Sequence, residues 1–170
     1  RDWKQISDQN GTRQRVKGKG EKDMKIAAYE VRPDEKPVIE ARCKELGIEL
    51  PTPPPVDTSA WNLVLCRQVG NLVWVSGEGP EHPDGSWTSG RLGEDISIED
   101  AQEAARLCAI NLMASLKSHI GSLNRVKQIV KLLCMVNSTP DFHDQPKVAN
   151  GCSDLLVEVF GDSGRHARSA

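Results

Sequence analysis

The stretch "SIEDAQEAARLCAINLMASLKSHIG", residues 97–121, decides the fold because it is the clearest regular pattern in the chain. Ser97 and Asp100 have the spacing of an N-terminal capping box, and Gly121 is a residue type with which helices commonly end. Between them, apolar residues recur at helical spacing and form one stripe: Ala101, Ala105, Cys108, Leu112 and Leu116. The stretch therefore predicts one long amphipathic helix with a single buried face.

Sequences typical of β-strands lie on both sides of this helix. Before it, "LVLCRQV" (63–69) and "LVWVSG" (72–77) are separated by Gly70-Asn71, a two-residue loop that tolerates positive φ and predicts a hairpin. A glycine- and proline-rich loop follows at 78–95, with an edge strand expected at 86–88. After the helix, "RVKQIVKLLCMVN" (125–137) becomes apolar on both faces, as in a strand that is buried on both sides.

A second helical pattern follows this predicted strand. Thr139 is expected to cap a first turn that contains Pro140, and Pro146 to start a longer helix that ends at Gly161. Its inward positions are Val148, Cys152, Leu155, Leu156, Val159 and Phe160. A further strand begins at the end of the sequence. The order predicts an α+β domain, in which two helices pack on one face of a single sheet.

The sequence divides into three segments by composition. Residues 1–23 are polar and are expected to form a disordered tail. Residues 24–57 are expected to form an appendage: a strand over 24–31, a helix over 34–47 and a proline-rich linker. The main domain is placed at 58–170.

Composition excludes several classes of function. Charged residues make up 27% of the chain and the net charge is −2, so a strong attraction to nucleic acid or to an anionic membrane is not expected. No apolar run approaches the roughly 20 residues that span a bilayer, and the first residues show no signal peptide. The five cysteines are scattered and form no C-x-x-C pair, which favours reduced core thiols in a cytoplasmic protein without a bound metal.

Several motifs occur in a fixed order along residues 61–170: "VGNLVWVSGEGP", "GED", "AARLCAINLMASLK", "RVKQIVKLLCMVN", "SDLLVEVFG" and "HARSA". This series resembles the RidA/YjgF family of reactive-intermediate deaminases, whose members are also known as endoribonuclease L-PSP or translation inhibitors. The resemblance implies a chorismate-mutase-like α+β fold with a mixed sheet. It also implies a homotrimer, whose ligand sites lie in the clefts between subunits.

The resemblance assigns a role to the last residues, "GRHARSA". Arg168 matches the family's arginine that binds the substrate carboxylate, a task that suits a planar guanidinium because it can donate two parallel hydrogen bonds. From the residues alone, a basic surface tail is the favoured interpretation of this stretch, and the series of family motifs reverses that preference. The resemblance further places Ser76, Glu78 and Ser153 in the substrate site. Considered without it, Ser76 would bond its own turn and Glu78 would be a solvated carboxylate.

Four positions depart from the family pattern. Glu78 stands where many members have glutamine, and Leu63 lies near a tyrosine of the deaminating members. Ser153 lies near a frequent asparagine, and Ala170 replaces a cysteine. The family's acidic residue would lie beyond Ala170, so the domain is expected to be truncated at its C-terminal strands.

Two histidines are candidates for a general acid or base. They are His143 and His166. Nothing in the sequence pairs either of them with a nucleophile.

Three functions follow in order of preference. The first is hydrolysis of 2-aminoacrylate-like enamines and imines to 2-keto acids and ammonia, with Arg168 as the catalytic and carboxylate-binding residue and without metal or cofactor. The second is a trimeric protein that binds small carboxylates without turnover, or acts as a scaffold or chaperone. The third is an endoribonuclease.

Overall fold

The computed structural model describes residues 38–53 and 62–170, together with the backbone of 29–31. The elements, in chain order, are β1 (Tyr29–Val31), α1 (Val38–Glu45), β2 (Cys66–Val69), β3 (Leu72–Val75), α2 (Ile98–Ile120), a 3-10 turn (Leu123–Arg125), β4 (Val126–Ile129), β5 (Lys131–Leu133), α3 (Gln145–Val148), α4 (Asn150–Phe160), a second 3-10 turn (Gly161–Gly164) and β6 (Ala167–Ser169). The protein is an α+β protein, as the sequence predicts.

The long helix forms where its sequence pattern places it. The Ser97 hydroxyl oxygen accepts a hydrogen bond from the Asp100 N–H at 3.0 Å, and Gly121 ends α2 at a φ of +85°. The fully buried face is slightly rotated from the predicted stripe, since Cys108 and Leu112 are half-buried. The buried residues of α2 are Ala101, Ala105, Ala109, Met113, Ala114, Ser115, Leu116 and Ile120. Much of this face is alanine, which allows a close approach of α4.

The strands form two small sheets, not the predicted single mixed sheet, because the chain leaves the first sheet after β4. An antiparallel sheet has the order β2-β3-β1-β4, and β5 pairs with β6 in parallel, with Leu132 opposite Arg168. The predicted hairpin is confirmed, because β2 and β3 pair with Cys66 opposite Val75 at one end and Val69 opposite Leu72 at the other. Gly70, in the loop between them, has a φ of +61°. The predicted edge strand at 86–88 is reduced to one bridge, between Trp87 and Glu81.

The predicted strand over 125–137 is wrong in two respects. It breaks at Val130, because the Val130 carbonyl accepts the N–H of Ala167 and the chain changes from the first sheet to the second. Its far end is not buried on both sides, since Leu133 is 67% and Met135 85% exposed. Leu132 alone within β5 is buried.

The helix predicted from Thr139 is also wrong at its start. The Thr139 N–H bonds the Leu92 carbonyl, and the Thr139 carbonyl accepts from Phe142, so this stretch is a turn tied to a distant loop. The helical residues begin at Gln145, and Pro146 lies in the short helix α3, whereas the longer helix that it was predicted to start begins at Asn150. The longer helix, α4, ends at Gly161 as predicted.

Residues from the predicted appendage pack against the rest of the chain. β1 lies between β3 and β4 in the sheet, and Cys43 and Ile48 belong to the hydrophobic core. The N–H groups of Ile39 and Glu40 bond the side-chain oxygen of Asn124. The boundary near residue 58 stays a prediction, and the predicted tail at 1–23 lies outside the described residues.

The core lies between α2, α4 and the antiparallel sheet. Its largest fully buried side chains are Met113, Leu116, Leu123, Ile129, Leu155, Leu156 and Val73. All five cysteines are free thiols, of which Cys43, Cys66 and Cys152 are buried in the core, whereas Cys108 and Cys134 are half-buried. Within the part of the chain that the structure describes, no helix has the length and apolar character to cross a membrane.

Candidate functional site

Arg168 lies in β6 with its guanidinium against the start of α4. Its Nη1 donates to the side-chain oxygen of Asn150 at 2.9 Å and to the hydroxyl of Ser153 at 3.0 Å, and its Nη2 donates to the carbonyl of Pro146 at 3.1 Å. Asn150 and Ser153 are three residues apart on a helix, so they present both oxygens on one face. The guanidinium is thus held from three sides in one orientation.

The Arg168 charge is not neutralised by these neighbours. All three acceptors are neutral oxygens, and no carboxylate among the described residues forms an ion pair with it. The three bonds use three of the five N–H groups of a guanidinium, which leaves Nε–H and one Nη2–H for another acceptor. A fixed, half-buried cation with two such donors is suited to a carboxylate.

The structure pairs His166 with Ser153, which the sequence did not indicate. His166 Nε2 lies 3.1 Å from the Ser153 hydroxyl oxygen, and His166 Nδ1 lies 2.6 Å from the Gly164 carbonyl oxygen. A carbonyl only accepts, so Nδ1 carries a proton. In the neutral imidazole, Nε2 is then the acceptor and the Ser153 hydroxyl donates to it.

Gly164 makes this pairing possible through a close approach of two backbones. A Cβ built on Gly164 would lie 2.7 Å from the carbonyl carbon of Leu156 and 2.9 Å from the Cα of Val157, closer than side chains tolerate. The second 3-10 turn therefore packs directly on α4 only because it ends in glycine. From there its carbonyl faces His166.

Ser76 lies elsewhere, at the end of the β2–β3 hairpin. Its hydroxyl donates to the Val64 carbonyl at 2.6 Å and its N–H bonds the Leu65 carbonyl at 2.8 Å. It lines an open cleft of about 550 Å³ that also contains Leu63 and Trp74. These are the hydrogen bonds expected if Ser76 only stabilises its own hairpin, which is the alternative to a role in the substrate site.

Glu78 lies in a third place, a cavity of about 390 Å³ whose walls include Leu107, Ile110 and Asn111. One of its carboxylate oxygens accepts from the Ser115 hydroxyl at 2.6 Å. Burial raises the pKa of Glu78, the bond from Ser115 lowers it, and the neighbouring charge of Glu81 raises it again. The carboxylate is half-buried rather than freely solvated.

Of the four predicted site residues, the structure brings only Arg168 and Ser153 into contact within one chain. Neither cleft that contains Ser76 or Glu78 includes them among its walls. Two thiols border the arginine. Burial raises the pKa of Cys134, and that of Cys152 to about 12, while the Arg168 charge opposes part of both increases.

The fold, with Arg168 in the middle of β6, is that of an α+β protein of the chorismate-mutase-like class. The pattern of the family described as "YjgF/chorismate_mutase-like, putative endoribonuclease" matches residues 40–170. The chain belongs to this family, which confirms the resemblance found in the sequence.

Individual relatives agree with the family match. A protein of Trypanosoma cruzi named Protein TCP17 is 41% identical over 133 residues, which are 78% of this chain and 81% of that protein. The crystal structure of Atu1372 from Agrobacterium tumefaciens, of unknown function, has a TM-score of 0.69 and 41% identity, and covers 78% of this chain and 79% of its own. The crystal structure of a putative endoribonuclease from Shewanella oneidensis MR-1 has a TM-score of 0.71 and 35% identity, and covers 77% of this chain and 85% of its own.

Proposed function

We propose that this protein hydrolyses small enamine and imine carboxylates, of the 2-aminoacrylate type, to 2-keto acids and ammonia. The observation that carries the proposal is the guanidinium of Arg168, which is fixed by three neutral oxygens and keeps two N–H donors for a ligand. A carboxylate accepts two parallel hydrogen bonds from such a group. Family membership supports the same reading of the "HARS" sequence.

This reaction requires only proton transfers and the addition of one water molecule. The enamine first takes a proton on carbon and loses one from nitrogen to become the imine, and the water oxygen then adds to the imine carbon. Both water protons pass to the nitrogen, which leaves as ammonia while the carbonyl forms, so no electron is gained or lost. With the carboxylate held by Arg168, the adjacent imine carbon has a fixed position, and positioning supplies much of the rate gain.

The cleft that completes the site is proposed to lie between copies of the chain in a homotrimer. Two features support this assembly. Exposed apolar side chains lie on or next to the strands: Val69, Leu133 and Met135. Ser76 and Glu78 also lie in clefts apart from Arg168, so a shared site would need them from a second copy. Sedimentation should give the mass of a trimer, and Met135→Glu should shift it toward the monomer. A wild-type monomer would contradict the assembly.

A binding protein without turnover is the second candidate. It is favoured by Leu63, which lies 45% exposed in the hairpin cleft where deaminating relatives are expected to carry a tyrosine. In that case 2-keto acids would raise the melting temperature without any hydrolysis of imines.

An endoribonuclease is the third candidate, and it rests on the description of the family and of the Shewanella relative. The net charge of −2 counts against binding of RNA. Cleavage of RNA that persists through purification and disappears in Arg168→Ala would establish it.

The deaminase proposal is tested with an imine made in place by an amino-acid oxidase. Semicarbazide traps the imine, and the protein should decrease the trapped fraction by releasing keto acid faster. Arg168→Ala should abolish the effect, whereas Arg165→Ala, an exposed arginine of the same stretch, should keep it. No effect of the wild type, or an equal effect of Arg168→Ala, would refute the proposal.

A further inference from the structure

We propose that Ser153 and His166 form a proton-transfer pair that makes the Arg168 site a catalyst rather than only a carboxylate binder. The inference rests on the proposed function and adds a group that this function requires. Water must lose a proton when it adds to the imine carbon, and the nitrogen must gain one before it leaves. The Arg168 guanidinium cannot do either, because it stays protonated in proteins.

The hydrogen bonds of this cluster run in one direction. Arg168 Nη1 donates to the Ser153 oxygen at 3.0 Å, and His166 Nδ1 donates to the Gly164 carbonyl at 2.6 Å. With the imidazole neutral, the Ser153 hydroxyl then donates to His166 Nε2 at 3.1 Å. In the neutral imidazole, Nδ1 is the donor and Nε2 is the acceptor, so the unprotonated Nε2 lies against the Ser153 hydroxyl and can act as a base. This is the arrangement of a hydroxyl activated by a base that a third group orients.

The carbonyl of Gly164 takes the orienting part. It belongs to a turn that is locked on the α4 backbone, since a Cβ at this position would overlap Leu156. An acceptor fixed in this way holds the imidazole in the tautomer with its proton on Nδ1. The second 3-10 turn therefore sets both the position and the protonation pattern of His166.

The charge of Arg168 assists the transfer. It stands 3.0 Å from the Ser153 oxygen, where a positive charge stabilises negative charge that develops as the hydroxyl proton moves to His166. The same guanidinium is proposed to hold the substrate carboxylate through its two remaining N–H groups. The reacting carbon would then lie next to the pair.

The proposed steps balance without any oxidant or reductant. The water oxygen bonds to the imine carbon and a water proton passes to Ser153, whose own proton passes to His166 Nε2. His166 then returns this proton through Ser153 to the nitrogen, which gives a carbinolamine. The second water proton, now on the carbinolamine oxygen, passes by the same route through Ser153 and His166 to the nitrogen. The C–N bond breaks with its electron pair on nitrogen, and ammonia leaves as the C=O bond forms. The Ser153 hydroxyl is regenerated.

The pair is placed where a ligand can reach it. Ser153, His166 and Arg168 are each half-buried, so they are partly shielded from bulk water but not enclosed in the core. His143 is exposed on the turn before α3, makes no contact with this cluster of hydrogen bonds and offers a matched control.

The test measures turnover and binding separately. His166→Gln keeps a hydrogen-bonding side chain but cannot transfer a proton, so kcat should fall about 10²–10⁴-fold. The Kd for pyruvate, an unreactive product, should change less than about threefold, since a loss confined to kcat marks a group that acts in the reaction. His143→Gln should match the wild type. Ser153→Ala should lose turnover like His166→Gln, and Ser153→Thr, which keeps the hydroxyl, should recover part of it.

The outcomes separate this inference from the function on which it rests. An active wild type with an equally active His166→Gln would overturn the proton-transfer pair and leave the deaminase in place. An inactive wild type would overturn both. If His166→Gln lost pyruvate binding together with turnover, and Ser153→Thr were no better than Ser153→Ala, the pair would only position Arg168 and the inference would fail.

Discussion

Gly164→Ala should damage the fold and the site together, because Gly164 is the contact between the second 3-10 turn and α4. The new Cβ would start 2.7 Å from the Leu156 carbonyl carbon and 2.9 Å from the Val157 Cα, and closer still to the Leu156 carbonyl oxygen. All three are backbone atoms within a helix and cannot rotate away. Ordinary contact is restored only if the turn moves by roughly 1 Å relative to α4.

The expected magnitude follows from this displacement. Overpacking of a close contact costs about 1–3 kcal/mol. For a protein of this size each kcal/mol lowers the melting temperature by about 2–4 °C. The site should suffer more than the fold, because the three bonds of Arg168 to α4 and to the Pro146 carbonyl are 2.9–3.1 Å long and a shift of about 1 Å breaks them.

The assay combines differential scanning calorimetry with titration of pyruvate. The control is Gly77→Ala, since a Cβ on Gly77 meets no atom within 4 Å. Gly164→Ala should melt at a lower temperature and bind pyruvate at least about tenfold more weakly. A melting temperature and a pyruvate affinity equal to those of Gly77→Ala would refute the role given to the close approach.

Three further predictions concern packing and titration. Gly151→Ala should lower the melting temperature although alanine is the better helix former, because its Cβ would lie 2.7 Å from the carbonyl carbon of Gln102 on α2; a stabilised variant would contradict the contact. Burial raises the pKa of Glu78, so the folded state binds this proton more tightly than the unfolded chain, and stability falls as pH rises through the folded value. Glu78→Gln should therefore match the wild type at about pH 4 and melt at a higher temperature at about pH 8, and the opposite order would refute the sign. Burial raises the pKa of Cys152 to about 12 and that of Cys66 to about 11, so a thiol reagent at neutral pH should modify both only on unfolding; rapid reaction of either in the native protein would disagree.

The parts of the fold that local rules decide could be predicted from the sequence. The capping serine and the closing glycine of α2 act within one helical turn, and Gly70 sets the hairpin through its own φ. The errors arose where a distant residue decides. Val130 ends a strand because it bonds Ala167, and Thr139 fails to cap a helix because it bonds Leu92.

The residues of the candidate site also divide into those that the sequence could predict and those that it could not. Arg168 could be identified because the "HARS" sequence is a family motif, but the residues that contact it could not. Its three neutral acceptors come from two other elements and could not be read from spacing. The pairing of His166 with Ser153 depends on a glycine that lets a turn touch α4, and no periodicity in the sequence reports such a contact.

The most direct test of the account is the affinity of the wild type and of Arg168→Gln for pyruvate and for methyl pyruvate, measured by calorimetric titration. Hydrogen bonds to a charged group are worth about 1.5–3 kcal/mol. The wild type should therefore bind pyruvate at least about tenfold more tightly than its neutral ester. Arg168→Gln should lose this preference. Equal affinity of the wild type for acid and ester, or an unchanged preference in Arg168→Gln, would contradict the assignment of Arg168 as the carboxylate site.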